Sequence, residues 1–201
     1  DERMSKCAKV AVLISGGGTN LQAIIDRSQA GELPHAELAL VVSSCGSAGG
    51  LARAERAGIK HIYIEKDNFE QKLISLLEEN EIDIIVLAGF LRILSEDFVS
   101  RYPDRIINVH PSLIPSFCGE GFYGLHVHEA ALDYGVKVTG ATVHFVNEIT
   151  DGGKIIAQRA VEVQEGDTPE ILQRRVMEDA EWKLLPAAVE KVAAEIVARR
   201  G

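Results

Sequence analysis

Short apolar runs alternate with segments of helical period along the first half of the chain. The runs, rich in β-branched residues, predict strands at residues 9–15, 37–44, 60–65 and 83–88. Between them, helices are predicted at 21–30, at 49–57 with Gly58 as the closing residue, and after a capping Asp67. Strands separated by helices of about ten residues predict βαβ crossovers and an α/β fold, in which a mostly parallel twisted sheet carries helices on both faces, as in Rossmann-like proteins.

The pattern of the second half predicts an antiparallel extension of this sheet. The expected elements are a helix at 96–102 capped by Ser95, a strand at 106–110, a surface loop at 112–124, a helix at 126–134 and strands at 137–146 and 154–163. The last two strands are joined so closely that we expect them to pair antiparallel. Thr168 and Pro169 then predict the start of a long C-terminal helix, with an interruption at Pro186.

Length and composition favour one domain. The chain has 201 residues, of which 46% are hydrophobic, enough to bury one substantial core. We expect this domain at residues 9–201, preceded by a frayed extension at 1–8. The three cysteines form no CxxC pair and are too few for a disulfide framework, which favours a cytoplasmic location.

Charge and hydropathy narrow the choice of partners. The 21 basic and 30 acidic residues give a net charge of -9, which opposes sequence-independent binding to nucleic acid. No apolar run approaches the roughly 20 residues that span a bilayer, and the first strand begins too early for a cleaved signal peptide. We therefore expect small-molecule substrates, no membrane association, and a monomer or a homodimer.

Asn108 and His110 form a polar pair at the end of the strand at 106–110. Side chains alternate along a strand, so residues two apart project from the same face. Pro111 cannot donate to a sheet ladder, which ends the strand and places the pair at the carboxyl edge, where open parallel sheets bind ligands. An amide that can donate to an oxyanion, beside an imidazole that can give or take a proton, suits acyl transfer. The alternative is a capped strand end in which both side chains satisfy loop backbone groups.

The segment SGGGTN at residues 15–20 is a glycine loop between the first strand and the first helix. Exposed amides at a helix N-terminus favour a phosphate. No lysine follows, as a Walker loop needs, and a dinucleotide fingerprint lacks both its third glycine and its acidic ribose reader. We therefore expect a single phosphomonoester, with polar contacts from Thr19 and Asn20. A tight turn that needs glycine only for backbone freedom is the alternative.

Asp151 lies in the turn TDGG, just after the strand that carries His144. If that strand neighbours the Asn108 strand, Asp151 can reach His110 and favour the imidazolium, a cation that stabilises an oxyanion and delivers a proton. The alternative is that Asp151 and Gly152 serve only as turn residues.

The remaining histidines and Cys118 offer less chemistry. His126 and His128 begin a helix, where residues two apart do not share a face, and no ligand spacing accompanies them, so we expect no metal site. Both are expected to be exposed or capping, with His126 close enough to the loop to contact a substrate. Cys118 lacks the local signature of a nucleophile. The segment at 91–94 either exposes backbone groups to a flat heterocycle or is a hydrophobic turn.

Five segments of the chain together resemble one family. They are ISGGGTNLQAII at 14–25, DIIVLAGFLRIL at 83–94, INVHPSLIPSF at 107–117, GATVHFV at 140–146 and TDGG at 150–153. Over residues 10–188 the sequence resembles the glycinamide ribonucleotide transformylases, also called phosphoribosylglycinamide formyltransferases. The block around Asn108 and His110 is shared by folate-dependent formyltransferases of this fold, and the glycine loop narrows the resemblance to the nucleotide-using members.

The resemblance implies transfer of a formyl group from 10-formyltetrahydrofolate, the co-substrate, to the amine of glycinamide ribonucleotide in purine biosynthesis, without a metal. The implied catalytic residues are Asn108, His110 and Asp151, and Asn108 also contacts the folate. The implied ribonucleotide contacts are Gly18, Thr19, Asn20 and Glu181, and the other implied folate contacts are Lys66, Leu91, Arg92, Ile93 and Leu94.

The loop at 116–123, SFCGEGFY, departs from the family pattern by its length. It is either a lid over the site or an insertion that the surface tolerates. Whether His126 contacts a substrate depends on which of these two roles the loop has. Formyltetrahydrofolate hydrolases of this fold carry an extra N-terminal domain and methionyl-tRNA formyltransferases a C-terminal one, and we expect neither here. A non-catalytic phosphate or nucleotide sensor that keeps the glycine loop is the alternative from another class.

Overall fold

The described part of the chain, residues 6–201 of a computed structural model, alternates strands and helices from its first element. The strands are β1 Ala8–Ile14, β2 Ala36–Ser43, β3 His61–Tyr63, β4 Ile84–Leu87, β5 Ile106–His110, β6 Val138–Phe145 and β7 Ile155–Glu162. The helices are α1 Thr19–Gln29, α2 Gly49–Arg56, α3 Phe69–Glu79, α4 Glu96–Ser100, α5 Leu125–Tyr134, α6 Pro169–Val176 and α7 Trp182–Ala198, with a π-helical turn at Met177–Glu181 between the last two. The predicted α/β class is confirmed.

One seven-stranded sheet runs in the order β3-β2-β1-β4-β5-β6-β7. The first five strands in that order pair parallel, and β6 and β7 are antiparallel, as predicted. The strand order reverses between β1 and β4, which opens a crevice at their carboxyl ends. Leu13 pairs with Leu87, and Leu87 pairs with Asn108, so the ends of β1 and β5 lie two strand spacings apart. This separation is about 10 Å, the span of a small substrate.

Alternate residues of each central strand enter two different cores. Val10, Val12 and Ile14 of β1 pack with α1 and α7, whereas Ala11 and Leu13 pack with α3 and α4. In β5, Ile107 joins the first core and Ile106 the second. Because side chains alternate, Asn108 and His110 project from the same face as Ile106, beyond the short helix α4.

The beginning of the chain and of α3 differ in detail from the predictions. Residues 1–5 of the expected frayed extension lie outside the described residues, but Ala8 is fully buried in β1, so the domain begins earlier than residue 9. β3 is shorter than the predicted strand at 60–65 because only residues 61–63 pair with β2. Asp67 does not cap α3; the N-cap is Asn68, at φ 55°, a left-handed conformation that Asn tolerates better than most residues.

The interruption of the C-terminal helical region lies before Pro186. Thr168 is the N-cap of α6, and its side chain accepts a hydrogen bond from the N–H of Ile171, as the capping pattern predicts. The break is the π-helical turn, whereas Pro186 lies inside α7. Within residues 6–201, no helix is long and apolar enough to cross a membrane.

Candidate active site

The glycine loop at the end of β1 presents backbone donors to the crevice. Gly18 is the N-cap of α1, at φ 76°, and no side chain caps the helix. Among residues 6–201, no backbone carbonyl accepts a hydrogen bond from the N–H of Gly16, Gly17 or Gly18. The first N–H groups of α1 have no helical acceptor either. Successive donors at the positive end of a helix favour an anion.

Close contact with α2 explains why this loop needs glycine. A Cβ on Gly18 would lie 2.7 Å from the Cα of Gly50, and a Cβ on Gly50 would lie 2.3 Å from Cδ1 of Ile14. The N–H of Gly50 donates to the carbonyl of Gly16 at 3.0 Å. The loop therefore packs backbone to backbone against the first turn of α2, and neither glycine can gain a side chain without a shift.

The segment Leu91 to Leu94 follows β4 across the crevice. The N–H of Leu91 donates to Oγ of Ser15 at 2.9 Å, which joins this segment to the residue that begins the glycine loop. Arg92 turns away from solvent, since its Nη2 donates to the carbonyl of Ser44 at 2.8 Å and its guanidinium lies 4.5 Å from the ring centroid of Phe69. Leu91 and Ile93 are 78% and 96% exposed. Two apolar side chains are thus displayed at the crevice mouth by a backbone that Ser15 and Arg92 fix.

Asn108 and His110 are brought together with two further side chains. Asn108 pairs with His144 across β5 and β6, and His110 pairs with Thr142. Asp151, in the turn after β6, lies between the two histidines: its Oδ2 is 3.7 Å from Nδ1 of His110, and its Oδ1 is 3.7 Å from Nε2 of His144. The expected approach of Asp151 to His110 is present, and both side chains are at most 10% exposed.

The loop after β5 holds His110 and Asp151 from the other side. The carbonyl of Phe117 accepts a hydrogen bond from Nε2 of His110 at 2.8 Å, and the N–H of Gly119 donates to Oδ2 of Asp151 at 2.9 Å. Oγ of Ser112 donates to the carbonyl of Ser116 at 2.5 Å. A carbonyl can only accept, so Nε2 of His110 carries a proton. The carboxylate of Asp151 lies beside the other ring nitrogen, Nδ1.

His144 orients Asn108. Nδ1 of His144 donates to the carbonyl of Phe145 at 2.9 Å, and burial lowers the pKa of His144, so the ring is neutral and its Nε2 carries a lone pair. That lone pair accepts from Nδ2 of Asn108 at 3.3 Å. The amide nitrogen is therefore fixed toward His144, and its second N–H is available to a ligand.

Glu181 and Asn20 meet at the edge of the crevice where α1 begins. Nδ2 of Asn20 donates to Oε1 of Glu181 at 3.3 Å, and the carboxyl is 6% exposed. Burial raises the pKa of Glu181 to about 7, although the hydrogen bond from Asn20 opposes this rise. Oδ1 of Asn20 is buried and has no hydrogen-bond partner in the described chain.

The other candidate residues lie outside the cluster of Asn108, His110, His144 and Asp151. Lys66 is exposed between β3 and α3, and Thr19 is exposed at the start of α1. His126 is exposed, as predicted, but the prediction of an exposed His128 is wrong: it is 1% exposed, because it lies on the inner face of α5. Burial, and then the charge of nearby His110, lower the pKa of His128 to about 4, which keeps this imidazole neutral.

Cys118 donates to the carbonyl of Pro115, and burial raises the pKa of its thiol.

Comparison with known proteins gives one consistent result. The sequence model of the family described as formyl transferase matches residues 8–189. The chain is 46% identical over 198 residues to the human trifunctional purine biosynthetic protein adenosine-3, of whose length it spans 19%. It is 39% identical over 188 residues to the phosphoribosylglycinamide formyltransferase of Haemophilus influenzae, covering 90% of this chain and 85% of that protein.

Solved structures agree with the sequence comparison. The crystal structure of phosphoribosylglycinamide formyltransferase from Brucella melitensis matches with a TM-score of 0.85 at 45% identity, over 94% of this chain and 97% of that one. Glycinamide ribonucleotide transformylase 1 from Symbiobacterium toebii matches with a TM-score of 0.87 at 40% identity, over 94% and 89% of the two chains.

Proposed function

Because the chain belongs to the phosphoribosylglycinamide formyltransferases of the formyl transferase family, we propose that it transfers the formyl group of 10-formyltetrahydrofolate to the amine of glycinamide ribonucleotide. The products are formylglycinamide ribonucleotide and tetrahydrofolate, and the reaction belongs to purine biosynthesis. The observation that carries this proposal is the juxtaposition of Asn108, His110 and Asp151 at the strand edge that faces the glycine loop.

The glycine loop binds the phosphate. The free N–H groups at Gly16, Gly17 and Gly18 and the first turn of α1 supply several donors and a partial positive charge. Thr19 and Asn20 add polar contacts on the ribose side. A phosphate placed there leaves the glycinamide amine to extend along the crevice toward β5.

The folate lies against the segment Leu91 to Leu94. The exposed side chains of Leu91 and Ile93 pack against the flat ring system. Backbone groups of the segment form hydrogen bonds with the polar edge of the ring. The guanidinium of Arg92 contacts Ser44 and Phe69, so Arg92 supports the conformation of the segment and does not bind the folate through its side chain. Lys66 contributes positive charge toward the acidic end of the folate.

Formyl transfer proceeds by attack of the neutral amine on the formyl carbon. A carbon–nitrogen bond forms, and the carbonyl oxygen becomes an oxyanion that accepts from the free N–H of Asn108 and from His110. The distance of 3.7 Å between Nδ1 of His110 and Oδ2 of Asp151 is longer than a hydrogen bond. The N–H at Nδ1 is therefore not committed to Asp151 and can donate to the oxyanion. The bond from carbon to N10 of the folate then breaks, the carbonyl re-forms, and His110 gives N10 a proton. The former amine passes its extra proton to the imidazole, which restores His110.

Glu181 receives the amine end of the ribonucleotide. Its pKa of about 7 means that the carboxyl is divided between neutral and ionised forms at neutral pH. An ionised Glu181 accepts hydrogen bonds from the amine and holds it in the crevice. Asn20 sets the position of this carboxyl and so links the phosphate end of the substrate to its amine end.

The remaining features of the protein follow from this assignment. The domain occupies residues 9–201 together with the first residue of β1, and the reaction needs no metal. We place the enzyme in the cytoplasm, acting on small molecules as a monomer or a homodimer, without binding nucleic acid or membranes.

The experiment that tests the proposal is consumption of formylfolate by the purified chain. We expect consumption only when glycinamide ribonucleotide is present, with one formylated product per folate released. Consumption without the ribonucleotide would indicate a hydrolase, and binding of the ribonucleotide without consumption would indicate a sensor. Either result would overturn the proposed activity.

A further inference from the structure

Arg53 of α2 holds the glycine loop from outside the crevice. Its Nε donates to the carbonyl of Gly17 at 2.6 Å, and its Nη1 donates to Oε1 of Gln22 on α1 at 3.2 Å. The N–H of Gly50, one turn earlier on α2, donates to the carbonyl of Gly16. Two consecutive carbonyls of the loop are therefore turned toward α2.

The orientation of these carbonyls fixes the orientation of the donors. In a trans peptide the carbonyl of one residue and the N–H of the next point in opposite directions. Because the carbonyls of Gly16 and Gly17 point to α2, the N–H groups of Gly17 and Gly18 point away from it, on the side where α1 begins. Rotation of the Gly17–Gly18 peptide would replace a donor with a carbonyl, which repels an anion.

Packing restrains only one end of this peptide. Gly18 lies against the backbone of Gly50, but a Cβ built on Gly17 meets nothing within 4 Å, so no neighbouring side chain restricts the Gly17 end. Glycine also has wide backbone freedom. The hydrogen bond from Arg53 is therefore the contact that holds the Gly17 carbonyl outward. Arginine suits this task because its planar fork makes two bonds in fixed directions, one to the loop and one to α1.

We propose that Arg53 is a positioning residue that makes the site selective for a phosphorylated amine substrate over its dephosphorylated counterpart. The proposal rests on the proposed function, since it assigns the phosphate to this loop. Arg53 acts through the Gly17–Gly18 peptide and does not contact the reacting atoms. Its loss lets the peptide rotate, and the site then loses affinity only for substrates that use the loop's N–H groups.

The test compares Arg53→Met with wild type, using glycinamide ribonucleotide and the corresponding glycinamide riboside as amine substrates. We expect the KM for the ribonucleotide to rise about ten-fold, the usual consequence of losing a charge-assisted hydrogen bond, with kcat within about two-fold. The KM values for the riboside and for formylfolate should not change. Arg56→Met, an exposed substitution on the last turn of the same helix, is the matched control.

Arg53→Lys separates positioning from charge. Lysine keeps the positive charge but places a methylene group where arginine has Nε–H, so we expect it to behave like Arg53→Met. A wild-type KM in Arg53→Lys would show that charge alone suffices and would overturn the proposal. So would an unchanged KM in Arg53→Met, or an equal rise for both amine substrates. If Arg53→Met fails to fold, Arg53→Lys carries the same test.

The outcome also distinguishes this proposal from the proposed function. If wild type does not formylate the ribonucleotide, the proposed function fails. If wild type does so and the Arg53 variants match it, only the role of Arg53 fails.

Discussion

On the β1 side of the crevice the groups aimed at a ligand are backbone N–H groups, whereas on the β5 side they are side chains oriented by other side chains. Gly16, Gly17 and Gly18 present main-chain donors without a carbonyl acceptor in the described chain. Asn108 is instead held by His144, and His110 by the Phe117 carbonyl and Asp151. Ligand binding on the β1 side therefore depends on main-chain groups, which a side-chain substitution does not remove. Catalysis on the β5 side depends on side chains, each of which can be removed by a single substitution.

Because of this difference, we expect substitutions on the β5 side to lower turnover and substitutions on the β1 side to weaken binding. Electrostatic stabilisation of a transition state appears in kcat, and uniform binding of a phosphate appears in KM. A rise in KM from β5-side variants and a loss of kcat from β1-side variants would contradict this division.

Asn108→Ala and His110→Ala should have the largest effect. Each removes a donor to the oxyanion, and we expect kcat to fall by about 10²–10³-fold with little change in the KM for the ribonucleotide. Steady-state kinetics on the purified variants measures this. His61→Ala, which alters an exposed histidine on β3, should retain wild-type kinetics. Near-normal turnover in either site variant would remove that residue from the catalytic group.

Asp151→Asn should have the next largest effect, about ten-fold on kcat. The neutral amide removes the negative charge that lies 3.7 Å from Nδ1 of His110, so the imidazole is held less firmly toward the oxyanion. Steady-state kinetics on the purified variant measures the loss. A wild-type kcat would indicate that Asp151 acts only through its hydrogen bond with Gly119.

Gly18→Ala tests the β1 side of the crevice. A left-handed residue that gains a Cβ costs about 1–2 kcal/mol, and this Cβ would also press on Gly50. We expect a lower Tm and a higher KM for the ribonucleotide, with kcat nearly unchanged. Gly31→Ala provides the control, since Gly31 has φ +77° but a Cβ there meets nothing within 4 Å. It should lower Tm and leave KM alone.

Glu181→Gln should have the smallest effect on turnover, and its main effect should be on the pH dependence of stability. Burial raises the pKa of Glu181 from 4.5 to about 7, so the folded chain binds a proton that the unfolded chain has already released between these values. Wild type therefore loses stability relative to the glutamine variant as pH rises from about 4.5 to 7. Urea unfolding of both proteins at pH 5 and pH 8 measures this difference. Parallel curves would contradict the assigned pKa.

The parts of the site that follow a local pattern could be predicted from the sequence. The period of two places Asn108 and His110 on one face, Pro111 ends their strand, and the glycine loop comes directly after β1. The alternation of strands and helices along the sequence is enough to predict the parallel half of the sheet. In these cases a few neighbouring residues determine the geometry, so no long-range contact has to be known.

The parts that depend on register or burial could not be predicted in this way. His144 orients Asn108 only because β6 pairs with β5 in one register, which its own sequence does not specify. His128 and Glu181 carry polar groups into the interior, against the usual preference of these residue types. The π-helical turn adds a residue to a helical period without a sequence marker as strong as proline, so the sequence alone indicates a break at Pro186 instead.

The most direct test of the division between the two sides is calorimetric titration of His110→Ala with glycinamide ribonucleotide, beside its turnover. We expect a Kd within about two-fold of the wild-type value while kcat falls by about 10²-fold or more. A Kd that weakens in proportion to the loss of turnover would show that His110 binds substrate rather than stabilising the transition state, and would contradict the division between the two sides.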